Sequence, residues 1–592
     1  MPVKTGVIVG NNICRDESLY LKEIYKFKHR GDYFGLDVQN ALFFKMNKTA
    51  MQIIDAYPNL EELALRCDQS SLNETIDAFK KYGFITPIPP AARNTSRDMI
   101  PINSMGLSLY NGEKDESMPI GIIQKAIDFL IHESGEMKNC QLVFLTDNLD
   151  KSLEMVIEAT KYAEIQERKF NKNISFALRT KQFPLSSDCV RMAADRDIAV
   201  EIIFDGDWFG KEIDINIFEP LDEMTTQYLQ GIFEPMVNNI LITLNPDLKT
   251  ISTLEVILDN LFNIGFRLVL LDTICPGCRG NITCQEFNPD LTAAAIKEYS
   301  LFSENNGHRR NVGLINIVPL IDTVMSSSKN LYGCRAGIDY MAVSPIGEIY
   351  PCHNWVENDL LKIGSIYDGP KEGMREKFIL RNVENKEKCR SCGIRYLCGG
   401  GPVVEQSMEE SLECNLYREL AEYAMITYNG LSLKKKTRIM SMDKWMNKIM
   451  PYRKEISGNF QRDNIIRHLK VRGSSMYPFL KEGDEVTVRP VDVEKVKIGD
   501  IICFGKPATC HRVIRKLKEN GRPVILEKGD HHLAGSRISV EEITGKVVKI
   551  QRRNRSVSLE SKTGLLLNRL IGLLSLIAYT VGKVFILVEK RK

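Results

Sequence analysis

The sequence predicts a multidomain α/β protein that carries a small, β-rich domain near its carboxyl end. Its 592 residues exceed what one hydrophobic core can support, so about three to five domains are expected. Strand-like and helix-like segments alternate over 96–325, which is typical of a parallel sheet covered by helices. Short strand-like segments separated by turn residues occupy 463–560, which indicates the β-rich domain.

The composition excludes some classes of function and favours others. Hydrophobic residues make up 43% of the chain and charged residues 26%, which are ordinary values for a globular protein. The net charge of +3 gives no indication of a nucleic-acid partner, and none is expected. Because the amino-terminal residues lack an apolar segment ahead of a small-residue cleavage site, we expect the bulk of the chain to be cytoplasmic.

The cysteines are unevenly distributed along the chain. Eight of the 15 cysteines fall between Cys275 and Cys398, in groups with short spacings. In a reducing compartment a disulfide framework is not expected, so clustered thiols indicate metal ligands.

The amino-terminal segment, 1–92, has the pattern of a small winged-helix module. Residues 32–47 alternate like strands, and 49–57 and 60–67 have helical apolar spacing. A third helix is predicted to begin at a Ser71 cap and to end near Lys81. This pattern resembles the PqqD-like domain, a resemblance that implies a bound peptide added as a strand beside a helix. A generic helical cap is the open alternative.

The alternating segment, 96–325, is predicted to contain six strands and four intervening helices. The predicted strands are Gly106–Tyr110, Cys140–Leu145, Ile174–Leu178, Ala199–Phe204, Ile240–Leu244 and Phe266–Leu271, and the predicted helices are Pro119–His132, Leu149–Gln166, Ser186–Arg196 and Leu254–Ile264. Repeats of this length predict a partial α/β barrel. The pattern resembles the radical SAM fold, and the Asp-Gly within 203–207 is similar to the end of a strand in that family.

The loop after the first strand of this segment departs from the radical SAM pattern. In that family the loop carries three cysteines, separated by three and then two residues, which hold a [4Fe–4S] cluster. Here the loop is 111–119 and has no cysteine, and that spacing occurs nowhere in the chain. Residues 146–150 replace the glycine-rich segment of the family. Because a [4Fe–4S] cluster needs thiolate ligands, we expect a degenerate barrel without an S-adenosylmethionine cluster.

The cysteine-rich segment, 326–428, resembles the SPASM extension of radical SAM maturases. The residues that carry this resemblance are Gly347 followed by Cys352, then Cys389-x2-Cys392-x5-Cys398, then Cys414. The resemblance implies an auxiliary [4Fe–4S] cluster with four ligands: Cys389, Cys392, Cys398 and Cys414. It also implies a further cluster that includes Cys334 and Cys352, although Pro402 stands where that cluster has another ligand.

A third group of cysteines, Cys275, Cys278 and Cys284, repeats the spacing of two and then five residues. The candidates for its fourth ligand are Cys334, Cys352 and His353. Thiolate spacing alone does not separate zinc from iron–sulfur, so both metals stay open. Buried free thiols are the alternative to a metal site.

Two further segments connect and end the chain. Residues 429–462 are basic and partly apolar, which predicts a solvated helical linker, with a calmodulin-target or membrane-surface helix as alternatives.

In the tail, 561–592, the apolar run 564–588 is long enough to span a bilayer. Its uncharged centre, 570–582, has a length that also fits an interfacial helix. We therefore expect membrane association, either spanning or interfacial.

The β-rich segment, 463–560, contains a serine followed by Met-x-Pro and then by Leu-x-x-Gly-Asp, within 471–486. Gly-Asp-Ile-x-x-Phe follows at 499–504, His-Arg-Val-Ile at 511–514, and Lys-Gly-Asp at 528–530. The serine motif resembles signal peptidase I and the LexA-like peptidases. The later motifs are similar to the archaeal and endoplasmic-reticulum type of signal peptidase, in which histidine takes the place of a lysine base.

The resemblance to signal peptidases implies a set of catalytic residues. Ser475 is the nucleophile and His511 is the general base, since a hydroxyl needs an adjacent base and imidazole titrates near neutral pH. Asp530 is the candidate for a third member that orients His511. The backbone N–H of Ser475 is a candidate oxyanion donor. The rival basic side chains are Lys516, Lys518, His531 and His532.

The sequence thus predicts a serine-type endopeptidase of the signal peptidase I kind, fused to a catalytically inactive radical SAM–SPASM scaffold. Its expected substrate is a peptide precursor or a signal or leader peptide that the scaffold recruits. The alternatives are a non-catalytic iron–sulfur scaffold for peptide maturation, or a radical SAM-type maturase with a vestigial peptidase.

Overall fold

The computed structural model of the chain contains two compact units, 1–457 and 458–592. The residues described are 6–9, 12–15, 20–57, 59–86, 100–111, 116–204, 215–273, 288–303, 313–327, 329–401, 412–432, 435–436, 439, 442, 446, 450, 467–471, 473–489, 496–504, 509–519, 522–532, 535–539, 543–552 and 555–589.

The first unit begins with a small module of antiparallel strands and three helices. Its elements are β1 (Gly6–Val9), β2 (Asn12–Arg15), β3 (Tyr20–Leu21), β4 (Ile24–His29), β5 (Asp32–Asp37), β6 (Leu42–Met46), α1 (Lys48–Ala56), α2 (Glu61–Arg66), α3 (Gln69–Lys81) and β7 (Ile85–Thr86). Strands β4, β5 and β6 form one sheet in that order. The three helices confirm the predicted ones, but the cap differs. Asp68, rather than Ser71, accepts the backbone N–H that begins α3.

A parallel sheet with covering helices forms the centre of the first unit. Its elements are β8 (Ser104–Asn111), β9 (Glu116–Ser117), α4 (Ile120–Glu133), β10 (Asn139–Thr146), α5 (Leu149–Phe170), β11 (Asn173–Thr180), α6 (Ser187–Asp195), β12 (Ala199–Phe204), α7 (Glu223–Phe233), β13 (Ile240–Leu244), α8 (Leu248–Ser252), α9 (Leu254–Ile264), β14 (Leu268–Leu271), α10 (Pro289–Tyr299) and α11 (Val318–Ser326). The strand order is β14-β13-β12-β11-β10-β8, and all these neighbours are parallel. Strands β12 and β13 are buried along their whole length because they are covered on both faces.

The cysteine-rich segment continues this sheet instead of forming a separate core. Its elements are β15 (Tyr340–Val343), β16 (Glu348–Tyr350), β17 (Gly364–Ser365), β18 (Gly369–Pro370), α12 (Met374–Ile379), α13 (Glu387–Arg390), α14 (Arg395–Cys398) and α15 (Leu412–Gly430). Strand β15 pairs with β8 in parallel, and β16 to β18 follow as an antiparallel extension. One hydrophobic core therefore serves both predicted segments.

The amino-terminal module packs directly on the cysteine-rich segment. Phe27 and Phe34 lie in one hydrophobic cluster with Leu397. The fully buried guanidinium of Arg395 makes two hydrogen bonds to the carboxylate of Glu23, at 2.6 and 2.5 Å. The charge-assisted, bidentate geometry makes this a specific attachment.

Three apolar residues of the predicted linker are packed in a hydrophobic core. Ile439, Met446 and Met450 are buried in the main core of the first unit. The interpretation of 429–462 as a solvated connector is therefore wrong at these three positions, because their apolar side chains are removed from water.

The second unit is an antiparallel sheet followed by a helix. Its elements are β19 (Arg467–Lys470), β20 (Glu485–Arg489), β21 (Ile501–Phe504), β22 (Thr509–Glu519), β23 (Arg522–Lys528), β24 (Ser536–Ser539), β25 (Ile543–Arg552), β26 (Arg555–Ser558) and α16 (Lys562–Glu589). The strand order is β19-β20-β25-β21-β22-β23-β24, with β26 beside β25. This confirms the predicted β-rich segment. Cys503 and Cys510 face each other on β21 and β22 and form a disulfide, although no disulfide framework is expected from the sequence.

Helix α16 packs against β22 within the second unit. The approach is close at Gly499, whose φ is +94°, because a Cβ there would lie 2.4 Å from the carbonyl oxygen of Asn568. Within the part of the chain that the structure describes, no helix has both the length and the apolar character needed to cross a bilayer. The prediction of a transmembrane tail is therefore not supported.

Candidate active site

The structure brings the predicted nucleophile and base of the second unit together. Ser475 lies in the turn between β19 and β20, and its side chain is half-buried. His511 lies on β22, and its Nε2 is 3.1 Å from the Oγ of Ser475. Such a distance allows the hydroxyl to donate to the imidazole.

The third member of the constellation is Glu527, which no motif of the sequence indicates. The Nδ1 of His511 is 2.5 Å from the Oε2 of Glu527, and the side chain of Glu527 is 4% exposed. A carboxylate at Nδ1 keeps the imidazole proton on that nitrogen, so Nε2 is free to accept the proton of Ser475. Glu527 pairs with Val513 across β22 and β23, and therefore lies diagonally opposite His511 on the same face.

Asp530 occupies a different place from the one predicted for it. Its carboxylate makes two hydrogen bonds to the guanidinium of Arg512, at 2.8 and 2.7 Å. Arg512 follows His511 on β22 and so points to the opposite face of the sheet. The prediction that Asp530 orients His511 is therefore contradicted by this arrangement, in which Glu527 contacts the imidazole.

The rival basic residues do not replace His511 in this geometry. The backbone N–H of His531 donates to the carbonyl oxygen of Ser475 at 2.9 Å, which fixes the turn. The ring of His532 is 6.2 Å from that of His511, and its side chain is exposed. Lys516 is also exposed, and the side chain of Lys518 lies outside the described residues.

A backbone donor is available beside the nucleophile. Among the residues that the structure describes, no acceptor bonds the backbone N–H of Ser475. A free N–H at the nucleophile is suited to stabilise an oxyanion that forms on an attacked carbonyl group.

Gly529 sets the separation between the serine turn and the end of β23. A Cβ at this position would lie 2.6 Å from the carbonyl oxygen of Ser475 and 3.3 Å from the Nε2 of His511. The first distance is shorter than a side-chain carbon can approach, so only glycine fits without displacing the turn.

We expect Gly529→Ala to reduce any hydrolysis that depends on Ser475 by about 100-fold, because the added methyl group displaces the nucleophile by a fraction of an ångström or more. The rate is measured on the peptide that the parent protein cleaves fastest in a random peptide library. The control is Gly231→Ala, since a Cβ at Gly231 meets no atom within 4 Å. Unchanged hydrolysis by Gly529→Ala would contradict the placement of the turn.

The thiols of the cysteine-rich segment lie near one another in the first unit. Cys389, Cys392 and Cys398 are partly exposed, whereas Cys414 is exposed. Burial, together with the charges of the other three thiols, raises the pKa of Cys398 to about 12. In the described part of the chain, however, no three side chains of ligand type are arranged so that they could hold a metal ion. The four thiols are thus close enough for their charges to interact, but they are not arranged as the ligands of one metal ion.

The surroundings of these thiols are compatible with a bound cluster. Three consecutive glycines, Gly399 to Gly401, have φ of 76°, 87° and 66°. A Cβ on Gly400 would lie 3.5 Å from the Sγ of Cys389, so the glycine leaves room beside that sulfur. The Nδ2 of Asn330, which would lie 2.6 Å from a Cβ on Gly399, is buried and has no hydrogen-bond partner in the described structure. Thiolate ligands with a nearby N–H donor fit the chemistry of an iron–sulfur or zinc site.

Two of the other predicted ligands lie side by side in the described structure, since the Sγ of Cys352 is 3.6 Å from the Nδ1 of His353. Cys334 and Cys352 are buried in the main core. The two ring nitrogens of His353 lie 2.6 Å from a nitrogen of Arg179 and 3.0 Å from the hydroxyl of Tyr340, so both already have neighbours at hydrogen-bond distance. The predicted group of Cys275, Cys278 and Cys284 lies outside the described residues.

Comparison with known proteins gives likenesses in structure only. No family model matches the chain, and no curated protein matches it. Native anSMEcpe with bound AdoMet aligns with 55% of this chain and 100% of its own, at 17% identity and a TM-score of 0.43. Streptococcus suis SuiB bound to S-adenosylmethionine aligns with 66% of this chain and 96% of its own, at 12% identity and a TM-score of 0.35.

SuiB bound to its precursor peptide SuiA gives similar values, with 64% of this chain and 94% of its own aligned at 12% identity and a TM-score of 0.36. TM-scores below 0.5 at such low identity do not carry an activity or a residue's role from these enzymes to this chain.

Proposed function

We propose that the second unit is a serine endopeptidase in which Ser475 is the nucleophile, His511 the general base and Glu527 the residue that positions the base. The observation that carries this proposal is the continuous line of contacts from Ser475 Oγ to His511 Nε2, and from His511 Nδ1 to Glu527 Oε2. A nucleophile in contact with a base, and that base in contact with a buried carboxylate, is the arrangement that acyl transfer requires.

The proposed reaction follows from these contacts. His511 takes the proton of Ser475 as Oγ bonds to the carbonyl carbon of the scissile peptide, and the carbonyl oxygen becomes an oxyanion. The backbone N–H of Ser475 is the donor proposed for that oxyanion. The imidazolium then gives its proton to the leaving amine as the C–N bond breaks. Water hydrolyses the acyl-enzyme with His511 again acting as base, which restores Ser475.

The substrate proposed is a peptide precursor with a leader or signal segment. The first unit supplies the support for this choice, since its sheet β4-β5-β6 and helices α1 to α3 have the pattern of a peptide-binding module. An extended peptide that pairs with an edge strand of such a sheet is held by backbone hydrogen bonds, and pockets for its alternate side chains select its sequence.

The test compares peptide cleavage by the full-length parent, Ser475→Ala and Ser474→Ala. The adjacent Ser474 is exposed and provides a matched control for the loss of one hydroxyl in the same turn. We expect Ser475→Ala to lose at least about 10³-fold in rate and Ser474→Ala to stay within a few-fold of the parent. Equal cleavage by the parent and Ser475→Ala would rule out the proposed mechanism.

A second candidate function is a metal-bearing scaffold for peptide maturation in the first unit. The observation that favours it is that Cys392 and Cys398 lie in one cluster, with Cys389 beside three positive-φ glycines and Cys414 close enough for its charge to affect Cys398. A cluster held there would supply a redox or structural iron–sulfur centre.

Metal content tests this second function. We expect the protein purified without oxygen to contain iron and sulfide, or zinc, in at least stoichiometric amount, and Cys398→Ala to lose most of it. Cys140→Ala is the control, because Cys140 is a buried thiol on β10. A parent protein with no bound metal, or a Cys398→Ala variant with the full content, would contradict the scaffold proposal. Reductive cleavage of S-adenosylmethionine would instead support an active maturase.

A further inference from the structure

A cavity of about 410 Å³ lies in the second unit, between the end of β23 and helix α16. Its apolar walls include Phe479, Ile571 and Leu574, and its polar lining includes Lys528, Asp530 and Ser575. Phe479 belongs to the same turn as Ser475. The side chain of Lys528, however, lies on the face of the sheet opposite to His511. In the β22–β23 register Lys528 pairs with Arg512, so these two side chains share the face opposite to the imidazole.

The polar side of this cavity carries an unbalanced positive charge. Arg512 is fully buried and pairs with Asp530, which neutralises one charge. Lys528 is 1% exposed, and its ammonium group donates to the carbonyl oxygen of Gly529 at 3.0 Å. In the described structure no carboxylate forms an ion pair with Lys528, since Glu527 is directed to His511 on the other face. An ammonium has three donors, so Lys528 has capacity for further acceptors.

Burial of this charge is costly unless a partner compensates it. Desolvation lowers the pKa of Lys528, although the nearby Asp530 opposes the effect. An anionic ligand would offset the cost, because charge-assisted hydrogen bonds at a buried site are strong. The three apolar walls meanwhile favour a ligand with a hydrocarbon part, and Leu574, which is 65% exposed, marks the open rim.

We propose that this cavity binds an apolar monocarboxylate, with the carboxylate against Lys528 and the hydrocarbon part between Phe479, Ile571 and Leu574. Two sources share this chemistry: a medium-chain fatty acid, and a peptide that ends in an apolar residue with a free carboxylate. The single excess positive charge matches one carboxylate. The proposal does not rest on hydrolysis at Ser475, because the ligand lies on the face of the sheet opposite to His511.

An occupied cavity would also contact the turn that holds the nucleophile. Phe479 lies four residues after Ser475, and Gly529, next to Lys528, approaches the carbonyl oxygen of Ser475. A ligand held between Phe479 and Lys528 therefore restrains both sides of the serine turn. The site is thus placed to bind a molecule and to limit motion of that turn at the same time.

The experiment is isothermal titration of the full-length protein with decanoate and with N-acetyl-L-leucine. Decan-1-ol and N-acetyl-L-leucinamide are the uncharged controls. We expect at least one carboxylate to bind about tenfold or more tightly than its uncharged counterpart, and the tighter of the two carboxylates identifies the source. Equal affinity for carboxylate and uncharged control, or no binding of either carboxylate, would overturn the proposal.

Two variants locate the site. Lys528→Met removes the charge but keeps the length of the side chain, and we expect it to abolish the preference for the carboxylate. Lys549→Met, at an exposed lysine on β25, is the matched control and keeps the preference. Leu574→Trp fills the exposed rim, leaves Lys528 in place, and lowers the affinity for the carboxylate about tenfold or more. A preference that survives Lys528→Met, or an affinity unaffected by Leu574→Trp, would place the ligand elsewhere.

If circular dichroism shows that Lys528→Met does not fold, Leu574→Trp decides the location, because its substitution lies at the surface. Ser475→Ala separates this proposal from the peptidase function. We expect Ser475→Ala to bind the carboxylate as tightly as the parent does, whether or not the parent cleaves peptides.

Discussion

Glu527→Gln is expected to lower kcat for peptide hydrolysis by about 10⁴-fold, with little change in KM. An amide at this position can donate to the Nδ1 of His511, and this favours the tautomer whose proton is on Nε2. Nε2, which lies 3.1 Å from the Oγ of Ser475, then cannot accept the proton of that hydroxyl. The measurement is steady-state cleavage of the library-selected peptide, with thermal unfolding to establish that the variant is folded.

Glu527→Asp is the conservative comparison for this prediction. It keeps the carboxylate, so we expect it to retain more activity than Glu527→Gln at every pH. A structural role alone would not produce this difference, because both substitutions perturb the same buried position. If Glu527→Gln kept more than a tenth of the parent's kcat, Glu527 would not be the residue that positions His511.

Asp530→Ala is expected to destabilise the second unit by about 3–5 kcal/mol, which is the cost of a buried charge left without its partner. The charge is that of Arg512, which is fully buried and bonds both oxygens of Asp530. The effect is measured by hydrogen exchange of the β22 and β23 amides, since a chain with two compact units need not unfold in one step.

The double variant Arg512→Met/Asp530→Leu tests the cause of this destabilisation. Removal of both charges leaves no uncompensated ion, so we expect most of the lost stability to return. Glu527→Gln provides the contrast, because it changes catalysis far more than stability. A stability of Asp530→Ala within about 1 kcal/mol of the parent would show that the Arg512–Asp530 pair does not hold the unit together.

Local periodicity was sufficient to predict the elements of the parallel sheet. The predicted bounds of β13 and α9 agree with the structure at every residue, and β12 also agrees. These segments have strong apolar patterns that tertiary packing does not override. The start of α3 differs because both Asp68 and Ser71 are good capping residues, and periodicity does not choose between them.

The packing of the linker and of α16 was not predictable in the same way. Ile439, Met446 and Met450 stand in a basic stretch, and whether such residues are buried depends on a surface contributed by distant parts of the chain. The side of α16 that contains the polar Asn568 and Ser575 is buried, whereas several leucines of the same helix are exposed. The composition of an apolar run does not show which of its sides packs against protein.

The sequence by itself determined the alternating α/β part and the β-rich part, because local periodicity encodes them. Short motifs also made Ser475 and His511 the candidate nucleophile and base. Only the tertiary structure decided that Glu527 contacts His511 and that Asp530 does not. The physical reason is strand register. Neighbouring residues of a strand point to opposite faces, so the pairing of β22 with β23 places Glu527 with the imidazole and leaves Asp530 to neutralise Arg512.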